Sequence, residues 1–322
     1  MKARSGFLAL ALIALCAAPP GAAGSEAADA ARGEYLVRAA GCINCHTDKV
    51  GKGAFLAGGR AIASPYGTFY SSNITPDSET GIGAWSDGDF IHALRHGESP
   101  GGTTYYPAFP YAAYGAMRRQ DMLDIKAYLF AAAPVRQQNR AHQLRFPFSW
   151  RFSIYPWRWL FFSPAEDRPQ PPLASAERRG GYLVEVLGHC GDCHTPRNMV
   201  GGLKRGKHLA GTRYGPGGAT VPNITPDSET GIGNWSVADF VFFFRSGLKP
   251  DGDDVQGEMR DVIEDGLRHL SEEDLRAIAA YLKSLPAIRH AVRPARRRAA
   301  SSASSAHDAW WAMSMTPGRR CP

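Results

Sequence analysis

The sequence predicts an all-α protein built from two similar domains in tandem, and three observations support this fold class. Residues 73–83 recur letter for letter as residues 223–233, so the chain contains an internal duplication. Apolar residues at helical spacing, ended by Pro286, predict a helix at the close of the second copy, and residues 121–129 are its counterpart in the first. The stretches between are rich in Gly, Pro, Ser and Thr and show no strand alternation. Each domain is therefore expected to hold a few helices joined by long loops.

The N-terminus is typical of a signal peptide. Basic residues near the start precede an apolar run at 7–18 and then small residues, which predicts export and cleavage near Gly24, so residues 1–24 are assigned to the signal. The run is shorter than the ~20 residues that a membrane-spanning helix needs. Cys16 lies within this segment. We therefore expect a periplasmic protein, with association at the outer face of the inner membrane as an open alternative.

Charge is distributed unevenly along the chain. The formal net charge is +7, of which the signal and the arginine-rich tail supply +2 and +6, leaving the body at about −1. A basic surface for nucleic acid is therefore not expected. The predicted segments are a first domain at 25–135, an aromatic and proline-rich linker at 136–173, a second domain at 174–287, and a basic, disordered tail at 288–322 that contains Cys321.

The linker concentrates aromatic residues in a short span. Pro147, Arg151, Pro156 and Arg158 interrupt it, which is incompatible with a helix that crosses a bilayer. The simplest interpretation is that the aromatic rings pack between the two domains. Contact with a membrane surface or with a partner protein is the alternative.

The motif C-x-x-C-H occurs twice, once in each predicted domain. Its residues are Cys42, Cys45 and His46 in the first copy and Cys190, Cys193 and His194 in the second. Two thiols one helical turn apart can each add to a vinyl group of haem, and the adjacent histidine is placed to bind the iron. The duplicated motif predicts two covalently attached haems c, with the four cysteines as attachment points and the two histidines as proximal ligands.

Three other uses of the cysteine pairs are open. Each pair could form a disulfide, the two pairs together could hold zinc and staple a binding module, or one pair could act like that of thioredoxin. None of these uses explains a histidine placed identically in both copies. Haem attachment is therefore the preferred interpretation.

The sixth iron ligands are predicted by elimination among the methionines. Met122 belongs to the apolar face of a predicted helix. Met199 follows His194 by only five residues, so it would lie on the same side of the iron as that histidine. Met117 and Met259 remain, each in a loop before the last helix of its domain, and both are predicted as distal ligands. Histidine ligation stays open, with His92, His96 and His189 as candidates.

The repeated loop at 73–83 contains several acidic and hydroxyl side chains. A calcium site or an acid/base pair is conceivable, but Pro76, Gly81 and Gly83 indicate tight turns. Asn73 and Thr75 are suited to hydrogen bonds within the loop or to a haem propionate. The loop is therefore expected to be structural.

With these motifs the chain resembles the dihaem and trihaem cytochrome c subunits of bacterial membrane-associated dehydrogenases. The resemblance covers about residues 30–287. It rests on both haem motifs, the repeated loop, the segment 106–111 and the sequence at 283–286. It implies His46 and His194 as proximal iron ligands and Met117 and Met259 as distal ones. The chain departs from some relatives, which have methionine where it has Phe109, and it ends in a tail where others have a third haem domain.

The resemblance implies an electron-transfer protein and not an enzyme. Such a subunit takes electrons from a periplasmic dehydrogenase and delivers them to quinone, another cytochrome or a terminal oxidase. The alternative is a dihaem redox enzyme of the peroxidase or thiosulfate-oxidising type. That enzyme would need one iron with an open or unusual ligand position.

Overall fold

A computed structural model describes residues 28–164 and 173–292. The predicted signal peptide with Cys16, and the greater part of the predicted tail with Cys321, lie outside the described residues.

The first half of the chain is mainly helical. Its entry helix leads directly into the first cysteine motif, and its last helix returns to pack on the entry helix. The elements are α1 (Ala30–Ala39), α2 (Cys42–His46), β1 (Ala61–Ser64), β2 (Gly67–Tyr70), α3 (Asp87–His96), α4 (Tyr111–Tyr114) and α5 (Arg119–Ala131).

The linker and the second half follow the same plan. In its described part, 136–164, the linker forms a short strand, a 3-10 turn and an α-helix, and residues 173–292 repeat the order of helices of the first half with no named strand among them. The elements are β3 (Gln143–Leu144), α6 (Ile154–Phe161), α7 (Ala176–Gly181) continued by a π-helical segment (Tyr182–Leu187), α8 (Gly191–His194), α9 (Val237–Ser246), α10 (Glu258–Asp265) and α11 (Glu272–Ser284).

The all-α prediction was only partly right, because the structure contains a small antiparallel sheet of order β1-β2-β3. Ser64 pairs with Gly67, so β1 and β2 form a tight hairpin, and Gly67 also pairs with Leu144 of β3 in the linker. Strands of two to four residues are too short to produce a readable alternation of apolar and polar residues. The linker is thus tied to the first half by backbone hydrogen bonds.

Local sequence explains where the central helix of each half begins. Ser86 accepts a hydrogen bond from the backbone N–H of Asp89, and the Asp89 carboxylate accepts one from the N–H of Ser86. Ser236 and Asp239 form the same reciprocal cap at α9. Each cap satisfies donors that the first helical turn leaves free.

The first and last helices of each half touch backbone to backbone. A Cβ atom at Gly33 would lie 1.9 Å from the carbonyl oxygen of Asp124, and one at Gly180 would lie 1.9 Å from that of Ala277. Only glycine permits this approach of α1 to α5 and of α7 to α11. The glycine in each entry helix therefore sets the frame on which each cysteine motif is mounted.

The two halves are joined by reciprocal hydrogen bonds. The hydroxyl of Tyr35 in α1 donates to Asp274 of α11 at 2.5 Å, and the hydroxyl of Tyr182 donates to Asp121 of α5 at 2.5 Å. Each half thus gives a tyrosine from its entry helix to an aspartate of the other half. Buried apolar residues of both halves form one contiguous core.

The linker aromatics divide into inner and outer sets. Trp157 and Phe162 pack edge-on against Tyr111 of the first half, and Phe161 lies against Gly202 of the second. These rings do pack between the halves, whereas others in the linker face solvent. No helix within residues 28–164 and 173–292 has the length and apolar character needed to cross a membrane.

The exact domain boundaries stay predictions. Ile288 and His290, which the sequence assigned to the tail, hydrogen-bond to the second repeated loop through Asn223 and Thr230. Val135 and Gln137 make the corresponding bonds to the first loop. In each half the chain after the last helix returns to the repeated loop.

Candidate haem sites

Each C-x-x-C-H motif forms about one turn of helix. In α2 the spacing of Cys42 and Cys45 brings both sulfur atoms to one side of the turn. The chain enters α2 through Gly41 in the left-handed conformation (φ 67°). His189, with a φ of 36°, stands at the corresponding place before Cys190. A sharp backbone turn thus sets each motif against its entry helix.

The two motif histidines are held in the same way. The Nδ1 atom of His46 lies 2.7 Å from the carbonyl oxygen of Ser72, and that of His194 lies 2.9 Å from that of Pro222. An N–H at Nδ1 donates to this carbonyl, which leaves Nε2 as the free lone pair. Burial lowers the pKa of both imidazoles, which favours the neutral form that binds metal.

The four motif thiols are partly buried. None of the four is in a disulfide. Burial raises the pKa of Cys42 and of Cys190 to about 12, whereas a thioredoxin-like pair requires a lowered thiol pKa. Within the described ranges no group of three or more His, Cys, Asp or Glu side chains has the arrangement of a metal site. The disulfide, thioredoxin and shared-zinc interpretations therefore lack structural support.

The repeated loops support the proximal histidines. Directly after Ser72, the Asn73 side chain donates to the carbonyl of Val135 at 2.7 Å and accepts from Thr75 at 2.7 Å. Asn223 repeats both interactions after Pro222. The loops are thus tied internally and to the returning chain, as the structural interpretation predicts. Each loop fixes the carbonyl that orients a histidine.

The two sites lie close to one another across the interface between the halves. Burial raises the pKa of the Cys193 thiol to about 12, and the neighbouring charges of Asp192, Cys45 and Glu258 also affect it. Cys45 belongs to the first site, while Cys193 and Glu258 belong to the second half. Helices α2 and α10 are also in contact. The attachment helix of one half therefore packs against the helix that carries Met259 in the other.

Arg60 connects these two helices. Its guanidinium donates to the backbone carbonyl and side chain of Asn44 in α2, to Glu258 at 2.7 Å and to Asp261 at 3.2 Å in α10. The Arg60 side chain is only 14% exposed, so its charge is held close to the first site with little solvent screening. No local motif predicts a role for Arg60, because Glu258 and Asp261 lie about 200 residues away along the chain.

Tyr114 spans the two motifs on their entry side. Its hydroxyl donates to the carbonyl of Ala40, just before the first motif, at 2.5 Å. Its ring packs edge-on against His189, just before the second motif, at 5.4 Å between centroids. Burial raises the pKa of Tyr114 well above its usual value, so the hydroxyl stays protonated as the donor.

The predicted distal methionines do not occupy equivalent positions. The backbone N–H groups of Tyr105 and Val255 make the same hydrogen bond to a helix-ending glycine in the two halves. Four residues beyond them stand Phe109 and Met259 respectively. Both side chains are half-buried and pack on the central core. By register, Phe109 is therefore the counterpart of Met259.

Met117 has a different counterpart. Asp121 and Asp274 are equivalent, since each accepts the tyrosine hydroxyl of the other half. Four residues before them stand Met117 and Leu270, and each is only 1% exposed. The assumption that the two methionines match in position is thus wrong. An insertion of three residues in the second half hid the shift in the sequence. Iron ligation by Met117 and Met259 stays a prediction.

The histidines considered as alternative ligands have other contacts. The rings of His92 and His96 stack at 4.5 Å between centroids, and His92 lies 3.3 Å from Glu98. His189 lies 3.6 Å from Asp192 in addition to its contact with Tyr114. No two of these three occupy equivalent positions in the two halves.

Both sites suit a covalently attached haem. Each offers two thiols free of disulfides and a neutral imidazole whose Nδ1 is held by a carbonyl, the arrangement that a haem c needs. When bound, haem supplies reversible one-electron chemistry at its iron. The mainly helical fold and the paired sites define the protein as a c-type cytochrome with two haem positions.

Comparison with known proteins supports this class. The cytochrome c family model matches residues 30–132. A dihaem c-type cytochrome of Cereibacter sphaeroides is 43% identical over 263 residues, which cover 81% of this chain and 87% of that protein. The chain belongs to this family of c-type cytochromes, and it carries two covalently bound haems c.

Cytochrome subunits of dehydrogenases are also similar. The gluconate 2-dehydrogenase cytochrome c subunit of Pantoea cypripedii is 44% identical over 269 residues, or 80% of this chain. The cytochrome c subunit of the quinone alcohol dehydrogenase of Gluconobacter oxydans is 41% identical over 299 residues, or 88% of this chain. The matches span 59% and 61% of those two subunits. The resemblance predicted from the motifs is confirmed, and the protein is an electron-transfer cytochrome.

Proposed function

We propose that this dihaem cytochrome takes electrons from a periplasmic dehydrogenase and passes them to quinone, another cytochrome or a terminal oxidase. The relatives named as subunits of gluconate and alcohol dehydrogenases support a dehydrogenase as donor. The packing of the two haem sites against each other carries the proposal. A short path between two redox centres is what a relay requires, and α2 of one site touches α10 of the other.

We further propose the periplasm, at the outer face of the inner membrane, as the location. The four motif cysteines attach the haems and His46 and His194 bind the irons. Met117 and Met259 are proposed as sixth ligands, which would make both haems low-spin. For Met259 the support is its half-buried place on the core beside the α2 interface. For Met117 the support is its loop position before α5 together with the family resemblance.

A reconstituted electron-transfer assay tests the proposal. The haem-loaded protein would be mixed with detergent extracts of its own host's membranes. Reduction of its haems would be followed at the visible absorption bands on addition of an alcohol or gluconate. Reduction of both haems by one substrate, followed by reoxidation with a soluble quinone, is expected. If the haems stay oxidised with every substrate and the protein instead consumes peroxide or thiosulfate, the enzyme alternative replaces this proposal.

A further inference from the structure

Part of the linker forms an exposed aromatic surface, called here the aromatic face. Its members are large apolar side chains that point to solvent between β3 and the end of α6. They are Phe146 (71% exposed), Trp150 (64%), Phe152 (76%), Tyr155 (56%) and Trp159 (83%). Soluble proteins seldom expose such residues in a group, and a contiguous patch of this kind marks an interaction site.

The aromatic face stands on a fixed support. Ile154, at the start of α6, is buried with Phe69 and Tyr106 of the first half in a small second core. Arg151 donates to the carbonyl of Thr104, and its guanidinium lies 5.2 Å from the Tyr106 ring centroid. The exposed rings are therefore held outward by a packed framework.

A loop of the second half packs against the inner side of α6, which carries Trp157 and Phe161. A Cβ atom at Gly202 would lie 2.3 Å from the Phe161 ring, so this loop lies directly on α6. Beside Gly202, Met199 is 95% exposed, Val200 is 56% exposed and Leu203 is 38% exposed. This loop thus exposes apolar side chains on the side of α6 away from Tyr155 and Trp159, and the aromatic face itself is formed by the linker.

The linker that carries the aromatic face has an excess of positive charge. Residues 136–164 contain five arginines and no aspartate or glutamate. Arg136 and Arg158 pair with Glu79 and Glu98 of the first half. Arg145 is exposed. The body of the protein is close to neutral, so this basic region is offset by acidic residues elsewhere, such as those of α10 and α11.

We propose that the aromatic face docks the cytochrome on an anionic lipid bilayer. Trp, Tyr and Phe side chains partition to the boundary between headgroups and acyl chains, and exposed arginines pair with lipid phosphates. The segment lies on the membrane and does not span it. This inference deepens the proposed function by naming the surface that meets the membrane.

The charge pattern decides between lipid and a second copy of the chain. Pairing two aromatic faces would bring two sets of arginines together with no acid in either segment, and like charges at an interface oppose association. A bilayer rich in phosphatidylglycerol offers both an apolar layer and negative phosphates at the matching depth.

Vesicle flotation of the full-length, haem-loaded protein tests the proposal. Binding is expected to vesicles of phosphatidylcholine and phosphatidylglycerol, to be weak with phosphatidylcholine alone, and to fall as salt is raised. The double variant Phe152→Ala/Trp159→Ala is expected to bind at least about tenfold more weakly, because it removes two large apolar side chains from the bilayer.

Matched controls separate the aromatic face from general effects. Phe242→Ala removes an aromatic side chain that is 53% exposed on α9 of the second half, and it is expected to bind like the unaltered protein. Arg145→Glu is expected to weaken binding to anionic vesicles only. All variants keep the tail, so differences among them report the aromatic face. Haem absorption spectra and circular dichroism verify that each variant is folded.

Three results would overturn the inference. The first is that the unaltered protein ignores anionic vesicles, and the second is that the double variant binds them equally well. The third is that the double variant still binds vesicles but no longer self-associates on gel filtration, or no longer binds its dehydrogenase. Either outcome would assign the aromatic face to a protein partner. No electron donor is present in the flotation assay, so its failure leaves the electron-transfer proposal standing.

Discussion

The Tyr182 hydroxyl donates a hydrogen bond to the Asp121 carboxylate across the interface between the two halves, at 2.5 Å. Tyr35 and Asp274 repeat the relationship in the opposite direction. The duplicated halves therefore meet through equivalent surfaces, as subunits do in a twofold dimer. This arrangement places the two haem motifs next to each other at the interface.

Removing one of these hydroxyls should loosen the interface. Tyr182→Phe leaves the buried Asp121 carboxylate with one donor fewer, and we expect it to lower the free energy of unfolding by about 1–3 kcal/mol. Denaturant unfolding followed by haem absorbance measures the change. Tyr214→Phe, at a tyrosine that is 63% exposed, serves as the control. Equal stability of the two variants would mean that the Tyr182 bond contributes nothing.

The hydrogen-bonded pair of Tyr35 and Asp274 predicts a dependence of stability on pH. Burial tends to raise the pKa of Asp274, but hydrogen bonds from Arg179 and Tyr35 outweigh it and hold that pKa below its usual value. A carboxyl group with a lowered pKa in the folded state stabilises the protein above its unfolded pKa near 3.9, and loses this effect as pH falls through the folded pKa.

Asp274→Asn should therefore cost about 2 kcal/mol at pH 7, since it leaves Arg179 without its buried partner. The difference between variant and unaltered protein should shrink as the pH falls below about 4. Urea unfolding at several pH values provides the measurement. A difference that stays constant from pH 7 to pH 3 would show that ionisation of Asp274 does not stabilise the fold.

Two methionine substitutions test the distal ligands. Met259→Leu should convert one of the two haems from low-spin to high-spin, because leucine has no donor for the iron. Met117→Leu is expected to do the same at the other haem, and Met122→Leu, within α5, should change neither. Electron paramagnetic resonance and near-infrared absorption of the oxidised protein distinguish the states.

The register of the two halves makes the Met117 result the more informative one. Phe109 occupies the place of Met259, and Met117 that of Leu270. If both haems of Met117→Leu remain as in the unaltered protein, Met117 is a core residue. If the first haem is already high-spin in the unaltered protein, its iron has an open ligand position, as the redox-enzyme alternative requires.

Substitution of Arg60 should change the redox potential of the first haem. Its guanidinium is mostly buried beside the first haem motif and also pairs with Glu258 and Asp261. A nearby positive charge stabilises the reduced haem, so Arg60→Gln should lower the midpoint potential of the first haem by an amount on the order of 50 mV. Redox titration would detect the shift. Arg276→Gln, at an exposed ion pair on α11, should leave both potentials unchanged.

Much of the candidate site follows from contiguous sequence. The C-x-x-C-H motifs and the repeated loops are local patterns whose chemistry depends on a few neighbouring residues. The haem motifs and the repeated loops identified the two haems and the family, and they predict the proximal ligands. The short strands were missed because β1, β2 and β3 are held by pairing between segments and show too few residues for a periodic pattern.

The sequence by itself thus determined that this protein binds two haems c and belongs to the electron-transfer cytochromes. Only the tertiary structure decided how the halves face each other, that Phe109 and not Met117 corresponds to Met259, and that Arg60 joins one haem motif to the opposite half. The physical reason is how far apart along the sequence the interacting residues lie. Haem attachment is encoded within five residues, whereas the Tyr182–Asp121 and Arg60–Glu258 contacts join residues 61 and 198 positions apart and exist only after the core has packed.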